Sequence, residues 1–335
     1  MRKMAYRSLM GAYVAMVTSV ATGCGTTPSD SSASAGSENA SEKLSITAVY
    51  GLSSDPFWTT LGCGAKNEAA RLGVAYKEYT SANSEASSYA QKFSLARQSK
   101  PDGMIVNPSD PNQFTNQYET LMSDGVPVVT INSAAPATQY KVVGTDTEDL
   151  DFLSDLAELV PSGSGSMAIV NGVAGLEPVD SRLDPVVSAI KEANPNLRTL
   201  APKYTGYDVA KATSAVSSLL ADHTDLKVIV AADGPDGTAT AAAVQQAGKS
   251  GRVTVIALDA TPTEVLALNA GTITALVAQS PVQIGEQQVK AVVNYLRKGR
   301  GGAVPASSDK IGVTQKVLTA DNIDESADWV YKSGC

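Results

Sequence analysis

Polar side chains stand at the carboxyl ends of most of the apolar segments that the sequence predicts to be strands. Such side chains can hydrogen-bond a small polar ligand, and ligands bind at this edge of open parallel sheets. Asparagine and aspartate are also common turn and N-cap residues, which explains any single case but explains a glutamine poorly. The chemistry indicated is ligand binding through hydrogen bonds. The residues are Asp55, Asn107, Asn132, Thr145, Asp233, Asp259 and Gln279.

An aromatic pair, Phe57 and Trp58, follows the first predicted strand in the stretch SSDPFWTTLGCG (53–64). The alternating segment LSITAVYG (44–51) precedes the pair, and apolar residues at helical spacing follow it. The pair therefore lies at a strand-to-helix turn. One interpretation is a hydrophobic staple that packs the helix onto its sheet. The other is an apolar surface for a ligand, beside the polar edge of the sheet.

Residues that could catalyse a reaction are scarce. His223 is the only histidine and ends a predicted helix, where a surface position is expected. No histidine pair or cysteine cluster in the sequence has the spacing of metal ligands. The stretch AGKSG (247–251) imitates a phosphate-binding loop, but Ala243 replaces the required glycine and the stretch follows a helix instead of a strand. We therefore expect a protein that is not an enzyme and has no metal or cofactor.

Strand-like and helix-like segments alternate from residue 44 onward. Several strands, such as KVIVAAD (227–233), are continuous apolar runs, which is typical of strands covered on both faces. RTLAPKY (198–204) is predicted as one further strand. This order predicts parallel sheets with helices on each side. Because about ten predicted strands exceed one such unit, we expect two lobes, with the first crossing between them at 131–146.

The amino terminus has the order of an export signal. Basic MRKMAYR (1–7) precedes an apolar stretch (8–20) that is too short to span a bilayer. The stretch closes on Cys24, which resembles a bacterial lipoprotein signal, in which the cysteine takes the lipid; an ordinary secretory signal is the alternative. We assign 1–23 to the signal and the serine-rich 24–43 to a flexible tether. The folded part is then expected outside the cytoplasm, anchored to the outer face of the cell membrane or located in the periplasm.

Charge and cysteine usage limit the partners. The net charge of -8, with no basic cluster, argues against nucleic acid. Two cysteines remain after Cys24, namely Cys63 and Cys335. An even number in an extracytoplasmic protein favours a disulfide between them, and two free thiols are the alternative.

Taken in order, the motifs resemble those of the periplasmic binding proteins of the ribose-binding type, which serve ABC importers of sugars. The resemblance covers roughly residues 44–299 and implies a type I periplasmic binding protein fold. This fold is α/β, with two doubly wound parallel-sheet lobes joined by a multi-strand hinge. The implied N-terminal lobe comprises 44–145 and 280–308, the C-terminal lobe comprises 146–279, and a tail of 309–335 follows. The motifs are DPFW (55–58), IVNPSD (105–110), VVTINS (128–133), VGTD (143–146), GVAGLEPVDSRLDPV (172–186), YTGYD (204–208), VAADGPDG (230–237), VIALDATP (255–262) and ALVAQSPVQIG (275–285).

The resemblance also implies a set of sugar-binding residues, and it favours ligand contact over a staple for the aromatic pair. This chain has Ser133 where the family usually has a basic residue, and aspartate and asparagine exchange places at several positions. The sugar is therefore expected to differ from ribose, with other pentoses, hexoses and polyols open. The implied residues are Asp55, Phe57, Trp58, Asn107, Asn132 and Thr145 in the N-terminal lobe, and Arg182, Tyr207, Asp233, Asp259 and Gln279 in the C-terminal lobe.

The function implied by the resemblance is that of a monomeric substrate-binding lipoprotein. It would capture a monosaccharide or sugar alcohol between two closing lobes and deliver it to a membrane permease. A sugar-sensing protein that signals to a membrane receptor or kinase is the alternative. Sugar-responsive transcription regulators share the fold, but they need a DNA-binding head where this chain has its signal and tether.

Overall fold

The structure is a computed structural model that describes residues 43–83, 85–131, 138–299 and 302–335. The predicted signal, the predicted lipidation site Cys24, the tether up to residue 42 and the predicted ligand residue Asn132 lie outside the described residues. Within the described ranges, no helix is both long enough and apolar enough to cross a membrane.

Strands and helices alternate along the described chain, as the sequence predicts. The strands are β1 (Ser45–Leu52), β2 (Ala75–Ser81), β3 (Gly103–Val106), β4 (Val128–Ile131), β5 (Lys141–Thr145), β6 (Gly165–Asn171), β7 (Leu197–Thr199), β8 (Lys203–Tyr204), β9 (Leu226–Ala231), β10 (Thr254–Leu258), β11 (Ala275–Ala278), β12 (Lys310–Val313) and β13 (Lys316–Leu318). The α-helices are α1 (Pro56–Arg71), α2 (Ala86–Gln98), α3 (Thr115–Ser123), α4 (Leu153–Ala157), α5 (Glu177–Ala193), α6 (Val209–Asp222), α7 (Gly234–Gln246), α8 (Pro262–Asn269) and α9 (Pro281–Arg297), and a 3-10 turn, Ile323–Glu325, follows β13.

The first sheet is parallel throughout, in the order β12-β5-β4-β3-β1-β2. Strands β3 and β4 are buried along their whole length, as continuous apolar runs predict. Helices α1 and α9 lie against each other so closely that a Cβ at Gly285 would come 2.2 Å from the Leu61 carbonyl oxygen. This contact fixes α1, whose first turn carries the aromatic pair.

The second sheet has the order β13-β11-β10-β9-β6-β7, with β8 also paired to β6. All of its pairings are parallel except that of β13, which runs antiparallel to β11. Strands β9, β10 and β11 are buried along most of their length between helices. Two parallel-dominated sheets with flanking helices confirm the predicted two-lobed α/β class.

The chain passes from one sheet to the other at three places. It leaves the first sheet after β5, returns between β11 and α9, and crosses again between β12 and β13. The first crossing lies further along the chain than the predicted stretch 131–146, because Lys141–Thr145 adds to the first sheet as a strand beside β4. The segment predicted as a tail (309–335) supplies one strand to each sheet.

The prediction that RTLAPKY (198–204) forms one strand is wrong. The stretch is divided into β7 and β8, which pair with opposite ends of β6 and leave residues 200–202 outside any strand. Pro202 lies at the break, and proline has no N–H to give to a strand ladder.

Candidate ligand-binding site

Asp259 is the centre of a polar cluster at the carboxyl edge of the second sheet. It follows β10 directly, and its Oδ1 accepts hydrogen bonds from Arg182 Nη1 (2.9 Å), Gln279 Nε2 (2.9 Å) and the hydroxyl of Tyr331 (2.9 Å). From the described part of the chain, no hydrogen bond reaches the other carboxylate oxygen, Oδ2. One oxygen is thus fixed by three donors while the second keeps its capacity to accept.

Arg182 reaches this carboxylate from α5. Its side chain is 6% exposed, and its Nε donates to the Pro178 carbonyl one turn earlier (3.3 Å). Burial by itself would lower the pKa of this guanidinium, but the negative charge of Asp259 raises it above its ordinary value. The arginine therefore stays charged in a site that excludes most water, and it presents a rigid set of donors.

Gln279 connects the second lobe with the first. It follows β11, where the chain returns to the first sheet, and it is buried. Its Nε2 donates to Asp259, and its Oε1 accepts a hydrogen bond from the Thr145 hydroxyl at 2.5 Å. Thr145 ends β5 of the first sheet. The carboxyl ends of two strands from different sheets are thus joined side chain to side chain.

Asp55 faces the cluster from the first sheet and also begins α1. Its Oδ1 accepts the Phe57 backbone N–H at 2.9 Å, which is the contact of a helix N-cap. Burial raises the pKa of this carboxyl to about 6, and the nearby Asp259 charge acts in the same direction. The two carboxylates therefore lie close enough to influence each other across the two lobes.

The aromatic pair does two different things. Phe57 is buried, with its ring 4.9 Å from that of Trp58 at 90° and 5.8 Å from that of Tyr331. Trp58 is only partly buried, and its indole lies over Gly51, where a Cβ would come within 2.2 Å. Phe57 packs as the staple interpretation predicts, whereas Trp58 keeps exposed surface that a ligand can contact.

Asp233 lies two residues after β9, the strand that pairs with β10 in the second sheet. Its Oδ1 accepts the Asp236 backbone N–H at 3.0 Å, and Asp236 in turn accepts the Thr205 hydroxyl at 2.7 Å. Burial, together with the charge of Asp236, raises the pKa of Asp233 to about 8. The pKa of Asp236 is raised as well, again chiefly by burial. Burial thus favours the protonated form of this pair, and a protonated Asp233 can donate as well as accept.

Two predicted ligand residues have a left-handed backbone conformation, which residues other than glycine rarely adopt. Tyr207 has φ +62° and Asp259 has φ +85°, and among the described non-glycine residues only Lys100 also has a positive φ. Such strain collects at functional sites, where the surroundings must hold it in place. Tyr207 is 39% exposed, and its ring lies so close to Gly172 that a Cβ there would come within 2.2 Å.

The structure brings most of the predicted residues together, in three degrees of closeness. Thr145, Arg182, Asp259 and Gln279 form one hydrogen-bonded cluster. Asp55, Asp233 and Tyr207 lie within electrostatic reach of members of that cluster. Asn107 is more remote. It follows β3 and is hydrogen-bonded to Tyr89, whose pKa is raised by burial and by the charge of Asp55.

A cavity of about 150 Å³ opens beside the crossing. Thr145 and Arg182 line it, together with Glu177, Ser181 and Gly312, whereas Trp58 and Asp259 do not. The cavity therefore lies beside the Asp259 cluster and reaches it through Thr145 and Arg182.

Four contact residues of the site were not predicted, namely Tyr331, Tyr89, Thr205 and Asp236. The sequence could have indicated Asp236, because it lies three residues after the N-cap aspartate in DGPDG, at a position whose backbone N–H bonds to a cap side chain. For Tyr331 the sequence offered only an indirect indication, through the predicted disulfide. The disulfide expected between Cys63 and Cys335 is present, with a Cα–Cα distance of 5.4 Å, and it holds Tyr331 near α1.

Two parallel α/β sheets, joined by three crossings and facing each other through polar strand ends, define a two-lobed binding protein. Residues 46–301 match the family model described as "Periplasmic binding protein domain", and the chain belongs to that family. Members of this family bind substrates for transporters and are not enzymes, and they work outside the cytoplasm.

Curated relatives support the same assignment. The chain is 28% identical over 265 residues to the ribose import binding protein RbsB of Escherichia coli K12, covering 78% of this chain and 88% of the relative. It is 25% identical over 258 residues to the D-allose-binding periplasmic protein of the same organism, covering 74% and 83%. Neither is a signalling protein by its name, so the sensing alternative is not favoured.

A solved structure shows the same fold. It is an ABC transporter solute-binding protein from Agrobacterium vitis bound with α-D-tagatopyranose. Its TM-score is 0.71 at 23% identity, covering 87% of this chain and 100% of that one. At this identity the likeness concerns the fold alone.

Proposed function

We propose that this protein captures a monosaccharide or sugar alcohol between its two lobes and delivers it to the permease of an ABC importer. The observation that carries the proposal is the carboxylate of Asp259. It is fixed on one oxygen by Arg182 and Gln279, and it is open on the other. The names of the relatives, which bind ribose and D-allose, support a sugar as the ligand class.

The cluster suits the chemistry of a sugar rim. Each hydroxyl is both donor and acceptor, and burying one without a partner costs about 1–3 kcal/mol. The open oxygen of Asp259 accepts from a hydroxyl, Asp233, whose protonated form burial favours, donates or accepts, and Arg182 donates. Hydrogen bonds to charged groups contribute roughly 1.5–3 kcal/mol each, more than neutral ones.

The apolar face of a sugar has a partner on the opposite lobe. Trp58 keeps part of its indole exposed at the start of α1, next to Asp55. Aromatic rings cover C–H surface with little loss of side-chain entropy. Asp55 and Trp58 would thus present one polar and one apolar contact from the N-terminal lobe, while the Asp259 cluster presents polar contacts from the other.

Division of the contacts between lobes makes closure depend on the ligand. The Thr145–Gln279 hydrogen bond already spans the lobes, and a sugar held by Asp55, Trp58 and Asp259 adds contacts on both sides. A ligand shifts an equilibrium only by its difference in affinity for the two states. A sugar that gains its full set of contacts in the closed form therefore selects that form, which would then dock on the permease.

The proposal includes membrane attachment through a lipid on Cys24. The sequence around this cysteine resembles a lipoprotein signal, and residues 25–42 have the composition of a flexible tether. A tethered binding protein stays close to a permease in the same membrane, which raises its effective concentration there.

A thermal-shift screen tests the ligand class directly. The panel consists of D-ribose, D-allose, L-arabinose, D-tagatose, D-fucose, ribitol and sorbitol, with adenosine as a nucleoside control. A ligand that binds only the folded state at 100 times its Kd stabilises by about 2.7 kcal/mol, so the melting temperature must rise. We expect a rise with at least one sugar or polyol and none with adenosine. If every sugar and polyol leaves the melting temperature unchanged, the proposal is wrong.

A further inference from the structure

The C-terminal segment runs back across the molecule after its last strand. Strand β13 adds to the second sheet, and the chain then passes through the 3-10 turn Ile323–Glu325 toward α1 of the N-terminal lobe. It ends at Cys335, which is joined to Cys63 in α1. The segment 319–335 is therefore a further connection between the sheets, beyond the three crossings that the strand order requires.

Two consecutive residues of this segment are bound to different lobes. The Tyr331 backbone N–H donates to the carbonyl of Ala260, which follows Asp259 in the second lobe (2.9 Å). The Lys332 N–H donates to the Thr60 hydroxyl in α1 (2.6 Å). Neighbouring Cα atoms are about 3.8 Å apart, so the two lobes cannot separate far at this point while both bonds hold.

The Tyr331 side chain occupies the space between the lobes. It is 2% exposed, its hydroxyl donates to Asp259 Oδ1, and its ring packs against Phe57. It is thus in contact with one proposed ligand residue of each lobe. The pairing with Asp259 spans 72 positions in the chain and depends on where the carboxyl terminus is held.

The three donors to Oδ1 fix how the Asp259 carboxylate is turned. Arg182 and Gln279 approach from the second lobe and its crossing, and Tyr331 approaches from the C-terminal segment. Removal of the tyrosine hydroxyl leaves two of the three donors, so the carboxylate is held less tightly against rotation about its terminal bond, where the intrinsic rotational preference is broad. The open oxygen, Oδ2, would then point less closely in one direction.

We propose that Tyr331 is a positioning residue for the ligand site, which directs the free oxygen of Asp259 toward one sugar hydroxyl and is itself held in place by the Cys63–Cys335 disulfide. This inference rests on the proposed sugar-binding function. It assigns a binding role to a segment that follows the last strand of the fold.

The experiment compares Tyr331→Phe with the wild type by calorimetric titration, using whichever member of the sugar panel gives the largest thermal shift. Tyr331→Phe keeps the ring and its packing on Phe57, so the protein should still fold, with a melting temperature somewhat below that of the wild type because one buried hydrogen bond is lost. Affinity should fall about tenfold, because the hydrogen bond between Asp259 Oδ2 and the sugar hydroxyl weakens when this oxygen is less closely directed. Tyr118→Phe is the matched control, because Tyr118 is also fully buried and its hydroxyl has no hydrogen-bond partner among the described residues.

A series of monodeoxy analogues of that sugar distinguishes positioning from general loosening. In the wild type, the analogue that lacks the hydroxyl bound by Asp259 should bind at least about tenfold more weakly than the parent. In Tyr331→Phe this difference should shrink at that one hydroxyl and stay the same at the others. A uniform loss at all hydroxyls would contradict the positioning role.

A double-mutant cycle tests whether the disulfide acts on the site through Tyr331. Cys63→Ser/Cys335→Ser should weaken sugar binding, and adding Tyr331→Phe to it should weaken binding by less than in the wild-type background, because both act through one contact. Additive effects would overturn the link between bridge and tyrosine. If the wild type binds a sugar and Tyr331→Phe binds it equally well, the positioning role alone is overturned; if the wild type binds no member of the panel, the proposed function fails and this inference with it.

Discussion

The hydroxyl of Thr145 donates a 2.5 Å hydrogen bond to Oε1 of Gln279, and this bond joins the two sheets at their carboxyl edges. Thr145 ends the strand from which the chain leaves the first sheet, and Gln279 directly follows the strand from which it returns. Gln279 in turn donates a hydrogen bond from its Nε2 to Asp259 Oδ1. A residue at the hinge is therefore coupled to the proposed ligand carboxylate through a single side chain.

Thr145→Val should weaken sugar binding without unfolding the protein. The substitution keeps the shape of the side chain but leaves Gln279 Oε1 without this donor in the closed form. Because a neutral hydrogen bond contributes about 0.5–1.5 kcal/mol, affinity should fall roughly two- to tenfold. Thr145→Ser, which keeps the hydroxyl, is the control, and calorimetry measures both. Equal affinity of the two variants would show that the bond does not favour closure.

Arg182→Ala should abolish sugar binding and also lower stability. The Arg182 and Asp259 side chains are only 6% and 14% exposed, so removing the arginine leaves a largely buried carboxylate without its cation. Breaking such a pair costs about 3–5 kcal/mol. Urea unfolding and calorimetry measure the two effects. Arg198→Ala is the control, since Arg198 pairs with Asp225 at 3.5 Å on the exposed surface of the same lobe, and both properties should stay near wild type.

Asp259→Asn tests the other member of that pair. It keeps the size of the side chain but leaves the buried Arg182 without its counter-ion, so the free energy of unfolding should fall while the folded protein keeps its circular dichroism spectrum. The charge-assisted contacts with Arg182 and with the sugar are lost together, and binding should become undetectable. Unchanged affinity in calorimetry would exclude Asp259 from the ligand site.

The sequence predicted the parts of the site that depend on strand order, because parallel strands bring their carboxyl ends to one edge. Asp259 and Gln279 follow neighbouring strands β10 and β11, so their contact is a consequence of the sheet. Tyr331 follows from no such rule. Its segment has no strand or helix of its own beyond one short turn, and its position depends on a disulfide between residues 272 positions apart.

Double roles also limited what the sequence could establish. Asp55 and Asp233 each begin a helix, which confirms the capping interpretation of these strand-end aspartates, and their binding of a ligand stays a prediction. Phe57 is buried as a staple residue, which its position beside Trp58 did not distinguish. The burial of Phe57 depends on how α1 packs against elements that are distant in the chain, so the local sequence pattern does not predict it.

Stability should fall as the pH rises from about 4 toward 8, in part through Asp233. The folded protein holds a proton at this buried carboxyl, whose pKa is raised from 3.8 to about 8, while the unfolded chain loses it near its ordinary value. The folded state therefore binds more protons across this window, and stability is lost as the pH rises through it. Asp236 and Glu264, whose pKa values burial also raises, act in the same direction.

Asp233→Asn should make the pH dependence of stability shallower between pH 5.5 and 8.5, as measured by urea unfolding at several pH values. Asp208→Asn is the matched control. Asp208 also caps a helix, but hydrogen bonds from backbone N–H groups lower its pKa, so it does not titrate in this range. A slope that is identical in the wild type and Asp233→Asn would contradict a buried proton at this residue.

Removal of the disulfide should destabilise the protein even when no sugar is present. The bridge closes a loop spanning 272 positions, and cross-linking limits the unfolded chain more than the folded one. Loss of a native disulfide typically costs 2–5 kcal/mol, so Cys63→Ser/Cys335→Ser should unfold at a lower urea concentration by about that free energy. Thiol titration of the unreduced wild type should find neither Cys63 nor Cys335 reactive. Two reactive thiols at these positions, or a double variant as stable as the wild type, would show that the bridge does not hold the C-terminal segment in solution.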